Sequence, residues 1–461
     1  MAHGYAYEMR EVNAMRGHYI QVLGYALLCV ILWASIPIRP LELQPVFRVP
    51  QDYPTIQAAV NAVPEGATIL IAPGTYEESI TITKGLTMEG SGIGKTILQP
   101  PALSSISGQL PRENPVLTVQ APERAITLHV RKLTVRSNPR NIQQGITSDI
   151  GLKAQPDTSL VFEDSAWVSL LGVVQATSLQ RLEIYNSLFQ NNFLIFGRTN
   201  QSPEPVVISK ITIIKDNYFD KNLGGILLQG KQFIAYNNAI LCNLQQGSGI
   251  SLTLTVEDGR SEVIGNLVSL CSGGIALFQT VKQASVVVKN NWLLANRHNL
   301  ELSTFTASRA QLHISIEKNL IIGGNVGVMI EIGPIKGGVI QLLQNHIAWQ
   351  GKRYLENTLP SSSTFWGNGI ILGTSLRQEE LKEPLKIEIS ENRIEGNESW
   401  GLALNLLPGW GDQPDQCNVR APGEEQVFTD PEITGSGNEF RNNLKGDLCP
   451  PDYPWPPGFR K

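Results

Sequence analysis

The chain is short of charge. Only 17% of its 461 residues are Asp, Glu, Lys or Arg, and they sum to −4. Without a basic field, a nucleic-acid partner is not expected. Cysteine is scarce too, with five in all, and no two stand in a C-x-x-C arrangement. That leaves no zinc or dithiol redox motif, and no metal site is expected. A complete phosphate-binding loop is also missing. "EGSGIGKTIL" (89–98) carries Gly94-Lys95-Thr96, but G-x-x-x-x-G-K-[ST] requires glycine at position 89, where Glu89 stands. Residues 96–99 are β-prone and the run stops at Pro100-Pro101, so no helix opens there to point its amides at a phosphate. No nucleotide is expected, and the glycines read as a corner between two strands.

Glycine is plentiful at 42 residues, and 13 Phe, 11 Tyr and 8 Trp leave aromatic material for a core or a sugar-stacking surface. Near the start, "HYIQVLGYALLCVILWASIPI" (18–38) is mainly apolar and comes after Arg10 and Arg16. By the positive-inside rule residues 1–17 stay cytoplasmic. Segment 18–38 is either a cleaved signal peptide or an uncleaved signal anchor, a transmembrane helix. Its length and the lack of a small-x-small cleavage site favour the anchor. Either way the rest is extracytoplasmic, anchored or secreted, with 39–48 as a linker. Cys29 lies in the apolar segment. Cys242, Cys271, Cys417 and Cys449 remain, with three possible pairings, of which Cys417 with Cys449 is expected.

From about residue 180 the sequence repeats itself. Asn186, Asn217, Asn238, Asn266, Asn291, Asn319, Asn392 and Asn438 each have an asparagine or small residue five positions later. Alternating β-branched runs such as "ITIIKDN" and "LKIEISEN" precede them, and Gly-apolar-x-apolar comes after most of them, as in Gly249-Ile250-Ser251-Leu252. The period is about 21–31 residues where no loop intervenes. Units this short bury no face alone and must stack. Ile226 and Leu228 then lie under Ile250 and Leu252, and those under Ile275 and Leu277, in an all-β parallel solenoid. The asparagines read as a structural ladder, since asparagine tolerates left-handed corners and its amide reaches the next coil.

This repeat resembles those of the right-handed parallel β-helix, the pectin-lyase-like superfamily. The segment "YPTIQAAVNAVPEGATILIAPGTYEESITITKGLTMEGSG" (53–92) is similar to the first coil of its carbohydrate-binding and sugar-hydrolase members. The resemblance covers roughly residues 50–448 and implies a β-helix domain over 49–448. In "TIQAAVNAV", Ile56, Ala59, Val60 and Val63 mark one face of a short helix, expected to cap the open first coil. The Pro- and aromatic-rich tail 449–461 is expected to close the other end.

The resemblance implies polysaccharide as partner, but the catalytic motifs of its enzymes are incomplete here. No Asn-Thr-Asp or Asp-Asp occurs, and the one His-Gly, His3-Gly4, lies ahead of the apolar segment. Asp216 and Asp220, beside Lys215 and Lys221, are not repeated as acids on a neighbouring coil, so calcium would belong only to a lyase. "NNFLIFG" (191–197) is similar to the Asp-Phe-Ile-Phe-Gly stretch of pectin esterases but lacks the acid. His298, His313 and His346 have no acidic neighbour in a shared motif, and nothing singles out a glycosidase pair among Glu388, Glu391 and Glu395. Loops at 253–261, 303–311, 373–385 and 405–434 would line up at one corner. At another corner, 349–366 gathers Trp349, Lys352, Arg353, Tyr354 and Trp366, aromatic platforms and cations suited to sugar rings and their acidic groups. The expectation is a membrane-anchored β-helix that binds or presents at polysaccharide along an extended face, without a cofactor. Its alternatives are a lyase or hydrolase of acidic polysaccharide and an envelope scaffold for protein partners.

Overall fold

The computed structural model describes residues 45–103, 113–121, 124–145, 148–176, 178–196, 207–223, 226–242, 248–254, 260–279, 283–303, 311–332, 337–351, 367–374, 385–405, 417 and 431–461. Segment 18–38 lies outside these residues, as do Lys352, Arg353, Tyr354 and Trp366. Among the described residues no helix is long and apolar enough to cross a membrane.

From Pro45 onward the chain winds as stacked coils, and its strands pair in parallel with their counterparts one coil away. It is a parallel β-helix with three faces. The first face runs through Thr127–Arg131, Thr158–Glu163 and Leu179–Tyr185. The second runs through Ala166–Val168, Leu188–Gln190 and Tyr218–Asn222. The third begins with Ile80–Ile82 and Asn114–Val119. Strand Val46–Val49, inside the stretch expected as linker, already pairs with Thr68–Ile71. Short crossovers between parallel strands wind right-handed as a rule.

Strand alternation fills the interior. On the second face Trp167, Phe189, Phe219, Ile240 and Val268 are in register and buried. Phe189 stacks on Phe219 with ring centroids 4.7 Å apart. Ile226, Ile250 and Ile275 stack in the same way on the third face. Segment Thr96–Gln99 of the glycine-rich stretch is a strand paired with Gly74–Glu77. At Gly90 a Cβ would stand 2.4 Å from the Lys132 carbonyl oxygen, so only glycine fits that corner.

Between the first and second faces the chain turns on a left-handed residue, such as Asp216 (φ 58°) or Asn290 (φ 55°), and the next residue is the ladder rung. Asn217, Asn238, Asn266, Asn291, Asn319, Asn345 and Asn392 each donate from Nδ2 to the next Oδ1 at 2.9–3.0 Å, and the series ends at Asn438. Two residues differ from expectation. Asn186 is the left-handed corner residue itself (φ 46°), exposed, while Ser187 takes the rung and its N–H donates to Asn217 Oδ1. Asn345 is a rung that the spacing does not single out.

A second ladder lies between the second and third faces. Asn192 donates to Asn222 at 3.0 Å, and Asn397 to Asn443 at 2.7 Å. In mid-stack the next rungs are cysteines. Cys242 is in register with Asn222, a disulfide joins it to Cys271, and the Cys271 N–H donates to Asn296 Oδ1. Of the three possible cysteine pairings the structure has Cys242–Cys271 and Cys417–Cys449.

At the N-terminal end, helix Ile56–Ala62 starts at Thr55, whose Oγ1 accepts from the Ala58 N–H. Ile56, Ala59 and Val60 are buried. The Gln57 amide accepts from the Thr81 N–H and donates to the Thr81 carbonyl, so it pairs the free edge of strand Ile80–Ile82. At the other end the tail folds back. Phe459 is buried, Trp455 stacks on it at 5.2 Å, and the Asn438 N–H donates to the Phe459 carbonyl.

Candidate binding face

The residue after each ladder rung begins a second-face strand and points outward, because the one after it enters the core. In register these are Leu188, Tyr218, Ala239, Leu267, Trp292, Leu320, His346, Arg393 and Glu439. Two positions on, a second column reads Gln190, Asp220, Leu241, Ser269, Leu294, Ile322, Ala348, Glu395 and Arg441, outward except for Ala348, which is buried. The middle of this face is apolar and open. Tyr218 is 42% exposed and Trp292 57% exposed, large values for aromatics on a sheet.

The character changes at the C-terminal end of the face. The Glu395 carboxylate lies 2.8 Å from His346 Nε2 and accepts from Arg393 Nη2 at 2.9 Å. Partial burial works against its charge. The hydrogen bonds from Arg393 and His346 outweigh that and hold the Glu395 carboxyl below the usual range. Beside it stands Trp349, at a left-handed corner (φ 58°) and 43% exposed. Its indole rests on Gly396, where a Cβ would come within 2.4 Å of Trp349 Cδ1. Bare backbone at 396 therefore seats the ring next to Glu395.

Of the expected binding residues, Trp349 stands at the corner that ends this face, while Lys352, Arg353, Tyr354 and Trp366 lie outside the described residues. Tyr218 and Trp292 went unnoticed in the sequence, although "NY" at 217–218 and "NW" at 291–292 place each directly after a rung. Of the three histidines weighed in the sequence, His346 and His298 have acidic partners that no shared motif revealed. His346 meets Glu395 from the next coil, and His298 Nδ1 lies 3.4 Å from Glu301 Oε2 on its own strand.

The other acids are spread out. Asp220 accepts from Gln190, Glu388 from Gln341 and Glu391 from Gln344, each on the outer surface. In "NNFLIFG", Asn192 is a buried rung of the second ladder and Phe193 is exposed. The strands leading into 255–259, 304–310, 375–384 and 406–416 all belong to the third face, so these insertions leave from one corner. Among the described residues no group of three or more His, Cys, Asp or Glu could hold a metal ion.

No family model matches the chain, and no curated protein does. Solved structures similar to it include the A-module of the mannuronan C-5 epimerase AlgE4 of Azotobacter vinelandii. That one is 14% identical, with a TM-score of 0.44, over 85% of this chain and 92% of that one. A variant of the periplasmic alginate epimerase AlgG is 11% identical, with a TM-score of 0.42, over 89% and 82%. The catalytic unit of a GH87 alpha-1,3-glucanase from Streptomyces thermodiastaticus is 12% identical, with a TM-score of 0.38, over 83% and 64%.

Proposed function

We propose that this protein binds polysaccharide along the outward side of its second face. The observation that carries this is the register of Tyr218 and Trp292 in one outward column, with Trp349 at the corner three residues beyond His346 of that column and an ordered carboxylate beside it. Flat aromatic rings offer apolar faces to sugar rings, and Glu395 accepts from hydroxyl groups with the lone pairs that His346 and Arg393 leave free. The reading is of binding, in which Glu395, held low, serves as an ionised hydrogen-bond acceptor and is not suited to act as a general acid. The protein works outside the cytoplasm in this proposal. The apolar segment 18–38 supports that placement, as does the Cys242–Cys271 disulfide.

The test is retention on immobilised polysaccharides. Burying a large apolar side chain is worth about 1.5–3 kcal/mol, so Trp292→Ala should weaken retention roughly tenfold or more. Tyr218→Ala and Trp349→Ala should each weaken it as well, with the melting transition unmoved. Unchanged retention in all three variants would remove the second face from the function.

A further inference from the structure

The charge pattern of this face narrows what lies on it. Strands Ala239–Cys242, Leu267–Ser269, residues 292–294 and residues 320–322 read AILC, LVS, WLL and LII, without one ionisable group that carries charge at neutral pH. Ala239, Leu241, Leu267, Ser269, Trp292, Leu294, Leu320 and Ile322 are the outward residues of these four coils, all at least partly open to solvent. In the two outward columns, among the described residues, charge at neutral pH appears at the two ends of the track. Asp220 stands at one, and Glu395 with Arg393 stands at the other, so each end carries a carboxylate. The Arg393 cation is already engaged by Glu395.

We infer that the occupant is a neutral polysaccharide, not a uronic-acid or sulfated one. This rests on the second face being the binding face. An acidic chain would set its anionic groups, one after another, over four coils whose outward residues, among the described residues, include no cation. Their partial desolvation would go uncompensated in the middle and be opposed by carboxylates at both ends. A neutral chain meets the opposite situation, since its C–H faces cover Leu267, Trp292 and Leu320 while its hydroxyls remain at the edges.

The track also sets a length. From the coil of Tyr218 the register steps through Ala239, Leu267, Trp292 and Leu320 to His346, in the coil of Trp349. Those five steps span about 24 Å at the usual 4.7–4.9 Å between paired strands. Tyr218 and Trp292 are about 14 Å apart along the axis by the same spacing. A monosaccharide touches one aromatic only, so affinity should climb with chain length until all three are covered.

The experiment is calorimetric or electrophoretic titration of the full chain with length-graded oligomers. Neutral probes are cello-, xylo- and chito-oligosaccharides, and acidic ones are polygalacturonate and alginate oligomers. Each is measured at low and high salt. Binding of a neutral series that rises with length and ignores salt is expected, because nothing in the contact is screened. Leu267→Lys, at an outward position, should weaken that binding about tenfold, and Trp292→Phe should keep most of it. Salt-sensitive binding of an acidic series that still depends on Trp292 would overturn the neutral class while leaving the face in place. Binding of no series would overturn both. A dimer dissociated by Trp292→Ala would give the face to a second copy of the chain and overturn this inference too.

Discussion

Asn291 shows how much one side chain holds. Its Nδ2 donates to the Val263 carbonyl at 2.8 Å and to Asn319 Oδ1 at 2.9 Å. Its Oδ1 accepts from both the N–H and the Nδ2 of Asn266. Four polar contacts in a fully buried position depend on this amide. Asn291→Ala strands several of those partners away from water, and the expected loss is about 3–5 kcal/mol of unfolding free energy. Urea unfolding measures it, and a loss below about 1 kcal/mol would show that water or a shifted backbone satisfies the ladder. The rungs were largely legible in the sequence because an asparagine ends a β-branched run at most of them. What the sequence left undecided is which of two neighbouring positions turns the corner. Asparagine suits both the left-handed residue and the rung after it, as Asn290 and Asn291 show together. At 186–187 the rung is Ser187, so the one asparagine present marked the wrong position.

At the scale of the element, a strand's outward column is set by the rung before it. This is why Tyr218 and Trp292 were findable in principle, whereas contacts from coil to coil, such as His346 with Glu395, were not. Their partners stand 49 residues apart and meet only after 47 residues bring Asn345 under Asn392. The second ladder adds a different device. Cys242 and Cys271 hold two rung positions between the coils of Tyr218 and Trp292, with Cα atoms 4.9 Å apart. The bridge closes a loop of sequence separation 29, for which the chain-entropy model gives about 3–4 kcal/mol. The Cys242→Ala, Cys271→Ala double variant should lose most of that in a denaturant melt. The Cys242→Asn, Cys271→Asn double variant should recover part of it by restoring amide rungs. If both variants melt alike, hydrogen bonding at these two positions contributes nothing.

At the scale of the whole molecule, each coil touches chiefly its neighbours, so the stack is vulnerable at its ends. Gln57 and its helix pair one free edge, and the tail pairs another. Lys461 donates its N–H to the Asn438 carbonyl, and Arg460 reaches Asp447 at 2.7 Å. Removing residues 450–461 uncovers the last rung, Asn438, and the backbone of Gly437 beside it. The shortened chain should associate as its concentration rises, as light scattering would record. A monodisperse truncated chain would show that the tail is dispensable as a closure. The ladder has one more consequence. Asn217 and Asn238 are 21 residues apart and Asn345 and Asn392 are 47 apart, yet both pairs meet at 3.0 Å. Each asparagine thus resets the count, as a bar line does in music. Whatever is inserted between two of them, the next measure starts on the beat, and mutation can lengthen a loop without carrying an error of phase downstream.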